Sequence, residues 1–419
     1  MNTIINQFID NIETPSFIFD EVQFQERFSL IDKILNEGRD SSKRINLCYA
    51  AKANTFLLTA ADKVCDKLEI CSQGEMDIVS ALSISANKVI YSGVSKISAD
   101  INKAISQGMR FATAESITHI KLLQEEASKS GVKLEVLLRL NSGAQFGMSK
   151  EDIEYILANK ATYSALEIVG IHYFKGTQRK NVEKQIKELD MLRSYILELR
   201  EKYNLELPKL EYGPGLYFPY FSNEDFSDTL MPIKELSKAL IEATTWAEVT
   251  IEMGRFFAAE CGYYLTSVTD IKSANDTNIV ILDGGINQLS YSGQMMGMKV
   301  PVINKIEAVA SPCEANSDYT SNNESKDSLF MQKYMLCGSL CTTADVLVRE
   351  VELPTLEIGD VIVFENVGAY TITEGIELFL SHSLPSVYLY NKNNSEQIKL
   401  VREPLATSTI NSIHRKDKK

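Results

Sequence analysis

INLCYAAKANTFLLTAADKVCDKLEICSQGE, residues 45–75, contains one complete structural unit and the start of the next. Ile45–Ala50 is a short apolar run that leads into a turn carrying Lys52. Leu57, Leu58, Ala61, Val64, Cys65 and Leu68 follow at i, i+3/i+4 spacing, the signature of a helix with one apolar face. Leu68–Cys71 is then a second apolar run. Outward from here the unit recurs, with further runs at Lys88–Tyr91, Phe111–Ala114, Leu134–Leu140, Glu167–His172, Lys209–Tyr212 and Val249–Glu252. The longest intervening helical pattern is Asn181–Tyr203. Strand–helix alternation requires parallel strands, because each return crossover occupies one face of the sheet. Eight such units in about 210 residues predict an α/β fold, a (β/α)8 TIM-like barrel over residues 22–258. A doubly wound open sheet is the structural rival.

Beyond Ala259 the texture changes. Gly262–Thr269, Asn278–Leu282, Gln332–Leu336, Val346–Val351, Asp360–Phe364 and Ser386–Tyr390 are short β-rich runs, several of them separated by Gly and Asn/Asp turns. They predict a C-terminal all-β domain, barrel or sandwich, reaching to residue 403. Ser317–Asp327 reads as a polar surface loop, and 404–419, ending HRKDKK, as a flexible tail.

The composition sets limits on function. The 419 residues are 44% hydrophobic and 24% charged, which fits a globular chain and not a disordered one. A net charge of −13 argues against nucleic acid or an anionic membrane as the partner. No apolar run approaches the roughly 18 residues of a membrane span. The opening MNTIINQFIDNIE is polar and acidic, so no secretory signal is expected, and a cytoplasmic setting is. Seven cysteines, odd in number and without a paired C-x-x-C pattern, fit a reducing compartment. The four histidines, His119, His172, His382 and His414, are scattered, so no metal site is expected and demanding chemistry would fall to an organic cofactor.

In such barrels the chemistry sits at the C-terminal strand ends. Lys52 follows the first run, Gly213-Pro-Gly215 the seventh, and Glu252-Met-Gly-Arg255 the eighth. A desolvated lysine is a nucleophile toward aldehydes. Glycines let backbone N–H groups approach phosphate oxygens, and an arginine adds a bidentate partner. A carboxylate beside a pyridine nitrogen keeps that nitrogen protonated. Together these point to pyridoxal 5′-phosphate (PLP) as the cofactor.

The chain also resembles the ornithine/diaminopimelate decarboxylase family of PLP enzymes, which share their barrel with alanine racemase (fold type III). The resemblance rests on YAAKAN (49–54), EICSQGE (69–75), YSGVSK (91–96), RLNSGAQFGM (139–148) and GIHYFKGTQ (170–178). It continues through YGPG (212–215), EMGRFFAA (252–259), DGGIN (283–287), GSLCTTAD (338–345) and VGAYT (367–371). It implies Lys52 as the lysine bonded to PLP and Glu252 as the partner of the pyridine nitrogen. It implies Gly213, Gly215, Gly254, Arg255, Thr177 and Tyr370 at the phosphate, with Glu69, Glu75 and Arg139 around the ring and the lysine. Cys341 matches the cysteine that returns a proton to the product across a homodimer with shared active sites. Residues 1–21 would join the β domain.

Departures from the pattern bear on the substrate. Phe174 replaces a histidine over the cofactor ring, Lys175 stands where an apolar residue is usual, and Met253 replaces a proline. Thr342 follows the cysteine where the family has Asp or Glu for a distal ammonium. Tyr291 stands where the diaminopimelate enzymes place an arginine for a distal carboxylate. Thr342, Asp345 and Tyr291 are therefore the expected substrate positions. Losing both charged partners disfavours free diaminopimelate or ornithine, since missing polar contacts reject strongly. The pattern is similar to a specialised branch in siderophore and antibiotic pathways, which acts on conjugated or carrier-bound amino acids. Diaminopimelate decarboxylation, racemisation and a non-catalytic PLP-binding role stay open.

Overall fold

The computed structural model describes residues 5, 7–294, 296–306 and 330–413. The expected Ser317–Asp327 loop lies outside these residues. The chain divides into two compact units, Gln23–Pro219 with Asp225–Ala258, and Met1–Val22 with Tyr220–Glu224 and Ala259–Lys419.

The first unit is the parallel barrel. Counting β1 as Ser16–Asp20 in the other unit, its strands are β2 Asn46–Ala50, β3 Lys67–Ile70, β4 Val89–Tyr91 and β5 Phe111–Ala114. The rest are β6 Leu134–Arg139, β7 Leu166–Phe174, β8 Lys209–Gly213 and β9 Glu248–Met253. Each neighbour pairs in parallel, and β2 pairs with β9 through Asn46↔Thr250 to Tyr49↔Met253. That last ladder closes the sheet and excludes the open doubly wound alternative. The helix predicted at Asn181–Tyr203 runs Val182–Tyr203, with the Asn181 side chain accepting from the Lys184 N–H as its cap. Register decides which polar side chains meet. Arg139 lies beside His172, His172 beside Glu211, and Cys48 beside Glu252 on successive strands. Gly170, on β7, lets this ladder close up, since a Cβ there would meet the Lys209 carbonyl oxygen at 1.8 Å.

Among the described residues the second unit is a nine-stranded, mostly antiparallel sheet. Its later strands are β10 Gly262–Ala274, β11 Thr277–Leu282, β12 Ile303–Ile306, β13 Met331–Cys337, β14 Val346–Pro354, β15 Val361–Glu365, β16 Ser386–Tyr390 and β17 Ile398–Arg402. The main path is β14-β13-β11-β10-β1-β16-β17, and β15 joins β10 to β12. The N-terminal strand β1 is therefore interior, antiparallel to β10 and parallel to β16. Alternate residues of these strands, among them Ile18, Leu265, Val363 and Tyr388, share one apolar core. The segment read as a loose tail is held at its start. Leu405 bridges Leu384, and Thr407 is buried with its hydroxyl donating to the His382 carbonyl. Sequence polarity alone did not reveal that anchoring. Among the described residues no helix is long and apolar enough to cross a membrane.

Candidate active site

Lys52 projects from a single 3-10 turn, Ala51–Ala53, directly after β2. The turn is fixed from below. Asn54 is buried, its side chain accepts from the Phe56 N–H, and its carbonyl accepts from the Tyr49 hydroxyl at 3.0 Å. The Lys52 Nζ donates to Glu69 Oε2 at 2.7 Å and to Glu252 Oε1 at 3.3 Å. The lysine side chain is 39% exposed, whereas those of Glu69 and Glu252 are 3% and 8% exposed. Lys52 is an accessible amine whose charge is matched by two buried carboxylates.

Those carboxylates differ in their surroundings. Glu69 accepts from the Cys71 thiol at 2.9 Å, and that thiol lies 3.6 Å from Lys52 Nζ. Glu252 shares its Oε2 with His172 Nε2 at 2.9 Å. Burial pushes the Glu252 pKa up, but the Lys52 charge and the His172 hydrogen bond outweigh it and hold the carboxyl well below the usual range. His172 Nδ1 is buried with no hydrogen-bond partner among the described residues.

Glu211 completes this layer and escaped the reading of the sequence. One side-chain atom each of His172, Glu211 and Glu252 lies within 4.8 Å of the others. Glu211 is fully buried, and neither of its oxygens is hydrogen-bonded to a nitrogen or oxygen among the described residues; the buried Cys48 thiol also faces it. Burial, then the charges of Glu252 and Glu69, push its pKa well up, which favours the protonated acid. The signal was legible: a lone acid inside an apolar run, Leu210-Glu-Tyr212, just ahead of Gly213.

Other expected residues take definite positions. Glu75 accepts the Cys71 N–H at 2.6 Å while Ser72 caps the Glu75 N–H, a capping arrangement that ties the end of β3 to the helix Gln73–Ala81. Arg139 pairs with Glu115 at 3.1 Å and lies over the Phe146 ring. The buried Lys96, whose amine donates to the carbonyls of Ser92 and Gly93, stands close enough to feel both charges, and burial lowers its pKa to about 8. Neither Glu115 nor Lys96 was singled out from the sequence.

The glycines form a cradle. Gly215 has φ +60°, and a Cβ on it would lie 1.7 Å from the Gly176 carbonyl oxygen. A Cβ on Gly213 would lie 2.5 Å from the Phe174 ring. The chain is thus drawn together where only glycine fits. Thr177 Oγ1 accepts from Arg255 Nε at 3.4 Å, and Gly254 opens the short helix Arg255–Ala258. An accessible amine, a buried carboxylate–imidazole couple and a glycine–arginine cradle on one barrel fit the aldehyde, the ring nitrogen and the phosphate of PLP.

In the β unit, Cys341 is exposed and Thr342 half-buried on the loop between β13 and β14. Asp345 is buried. Its two oxygens accept the N–H groups of Ile286 and Leu340 at 2.9 and 2.7 Å, so it pins the Cys341 loop to the DGGIN segment. Tyr291 also departs from its expected role. It is buried against Tyr220 and Phe221, and its hydroxyl donates to the Glu365 carbonyl at 2.7 Å. Tyr370 is half-buried with φ +66°.

Comparison with known proteins agrees with this geometry. The model of the family described as "Pyridoxal-dependent decarboxylase, pyridoxal binding domain" matches residues 23–259, and the chain belongs to that family. It is a PLP-dependent amino-acid decarboxylase by class. The chain is 24% identical over 407 residues to the L-glutamyl-[BtrI acyl-carrier protein] decarboxylase of Niallia circulans, covering 92% of this chain and 90% of that protein. It is 28% identical over 375 residues to the 2-[(L-alanin-3-ylcarbamoyl)methyl]-2-hydroxybutanedioate decarboxylase of Staphylococcus aureus, covering 83% and 88%. The crystal structure of diaminopimelate decarboxylase from M. jannaschii shares the fold with a TM-score of 0.78 at 24% identity, covering 98% of this chain and 94% of that one.

The raised pKa of Glu211 makes a testable demand on stability. An acid whose pKa is raised by folding gives stability that is complete below its unfolded pKa and declines as pH rises from there. Glu211→Gln, measured by thermal unfolding of the cofactor-free protein, should flatten that decline between about pH 5 and pH 8. Equal slopes in the two proteins would mean that Glu211 ionises normally.

Proposed function

We propose that this enzyme removes the α-carboxylate of an amino acid whose far end is conjugated or carrier-bound, in a specialised biosynthetic pathway. The observation that carries this reading is Thr342. It is a neutral hydroxyl next to Cys341, and it already accepts the Ala344 N–H at 3.3 Å. A hydroxyl in that place offers no ion pair to a free ω-ammonium, and rejection through an absent polar partner is large. The burial of Tyr291 likewise removes it as a partner for a free distal carboxylate. Two relatives named for carrier-bound glutamate and for an alanine-derived conjugate support the same reading. Diaminopimelate decarboxylases also stand among the relatives, and they make free diaminopimelate the rival substrate.

The residues divide the work as follows. Lys52 would hold the cofactor's aldehyde carbon and give way to the substrate amine. Glu252, kept anionic by Lys52 and His172, would hold a proton on the ring nitrogen, and Phe174 would face the ring. Gly213, Gly215, Gly254, Arg255, Thr177 and Tyr370 would hold the phosphate. Bound PLP supplies a sink for the electron pair that remains at Cα when carbon dioxide leaves. Cys341 would then deliver a proton to Cα. An exposed thiol on a pinned loop suits a group presented to a second copy of the chain, which supports a homodimer with shared sites.

A carbon dioxide release screen tests the substrate class. Turnover should be found with aminoacyl thioesters or amide conjugates and be at least about a hundredfold slower with free diaminopimelate. Comparable or faster turnover of diaminopimelate would overturn the reading of Thr342. Mixed dimers test the sharing. Equal amounts of inactive Lys52→Ala and Cys341→Ala proteins, allowed to exchange subunits, should recover about a quarter of wild-type activity. No recovery in confirmed mixed dimers would place Cys341 and Lys52 of one chain in the same site.

A further inference from the structure

The stretch after β7 reverses the charge of the molecule. Between Lys175 and Met191 the chain carries Lys175, Arg179, Lys180, Lys184 and Lys187 against Glu183, Glu188 and Asp190, within a protein of net charge −13. Glu188 does not neutralise the outer lysines, because it is buried and engaged. Arg179 binds it through two nitrogens at 2.6 and 2.9 Å, and the Tyr212 hydroxyl donates to it at 3.0 Å. Lys175 reaches no closer to it than 3.9 Å and leaves 49% of its side chain exposed. Lys184 and Lys187 are exposed and have no ion-pair partner among the described residues. Lys180, also exposed, lies over the Tyr217 ring at 4.1 Å.

These charges surround a shape. Lys175, Arg179, Lys184 and Lys187 line an open concavity of about 600 Å³, floored by the Arg179–Glu188 pair. Gly176 and Thr177 line it too, and the same two residues belong to the loop that meets Gly215 and Arg255. The concavity therefore begins where β7 ends, on the face of the barrel where Lys52 and Glu252 stand. Scattered surface lysines contribute little singly. Lys184 and Lys187, without an ion-pair partner among the described residues, and Lys175, held only loosely by Glu188, surround one hollow in a protein of net charge −13 and make a local field that orients an acidic partner.

We propose that this basic concavity docks an acidic carrier protein that brings the amino acid as a thioester. Acidic side chains of the carrier, and the phosphate of its prosthetic arm, face Lys175, Lys184 and Lys187. The proposal rests on the carrier-bound reading above and names its partner surface. It also gives a role to Lys175, which stands where the family pattern has an apolar residue. A delivery contact of this kind is small, led by charge and short-lived.

The test uses the full-length, PLP-loaded enzyme with two probes, L-glutamate as a thioester on purified acyl-carrier protein and as a thioester of pantetheine alone. The variants are K184E/K187E and, as a charge control on another exposed helix position, K238E. For the carrier-bound probe, wild-type kcat/KM should fall as salt rises from about 50 to 500 mM. K184E/K187E should lower kcat/KM for that probe about tenfold, through KM, and abolish the salt dependence. It should leave the pantetheine thioester, the cofactor absorbance and the unfolding temperature unchanged. An equal loss with pantetheine thioester, an equal loss in K238E, or no loss in K184E/K187E would overturn the docking site while carrier-bound turnover stands. Absence of turnover with the carrier-bound probe would overturn the carrier-bound reading and the docking site together.

Discussion

The site depends on one shared cation. Three buried acids, Glu69, Glu211 and Glu252, converge on a barrel mouth where Lys52 is the amine that meets two of them. At 2.7 Å and an effective dielectric of 20 the Coulomb attraction to Glu69 is roughly 6 kcal/mol, reduced further by the solvent that reaches Lys52. Lys52 touches two of the three acids, and Arg139 adds a more distant positive charge acting on Glu252. Burial and the neighbouring charges push Glu211 toward its protonated form, while Lys52 and His172 hold Glu252 well below the usual carboxylate range. The two acids are driven apart in pKa by position alone, and such a division commonly marks groups with distinct chemical tasks.

The barrel's architecture makes that layer possible. Parallel register sets Arg139, His172 and Glu211 side by side, and closure between β2 and β9 brings Lys52 to Glu252 across 200 residues of sequence. The supporting contacts then limit movement. Asn54 and Tyr49 fix the lysine turn, and the Glu75 cap fixes the strand end below Glu69. The β unit follows the same logic, with Asp345 spending both carboxylate oxygens on backbone N–H groups to hold the loop that displays Cys341.

Much of this was legible in the residues. The eight apolar runs fall on the eight barrel strands because parallel strands covered on both faces are written as continuous apolar segments. Lys52, Glu252 and the glycines stood out because polar or flexible residues at strand ends interrupt that pattern. What escaped has a common cause. Whether an acid or a tyrosine points at a ligand or into its own domain depends on contacts far away in sequence. Asp345 holds the N–H groups of Ile286 and Leu340, and Tyr291 is buried against Tyr220 with its hydroxyl on the Glu365 carbonyl. Ser72-Gln-Gly-Glu75 could have been read as a cap from its spacing, and Glu211 as a buried acid from its apolar neighbours.

The account stands or falls on whether Lys52 is the amine that receives the cofactor. Borohydride reduction of the PLP-loaded protein, followed by proteolysis and mass mapping, measures this directly. A stable phosphopyridoxyl mass on the peptide containing Lys52 is the predicted result. A label on Lys96, Lys175 or another lysine in its place, or none while the cofactor remains bound, would contradict it.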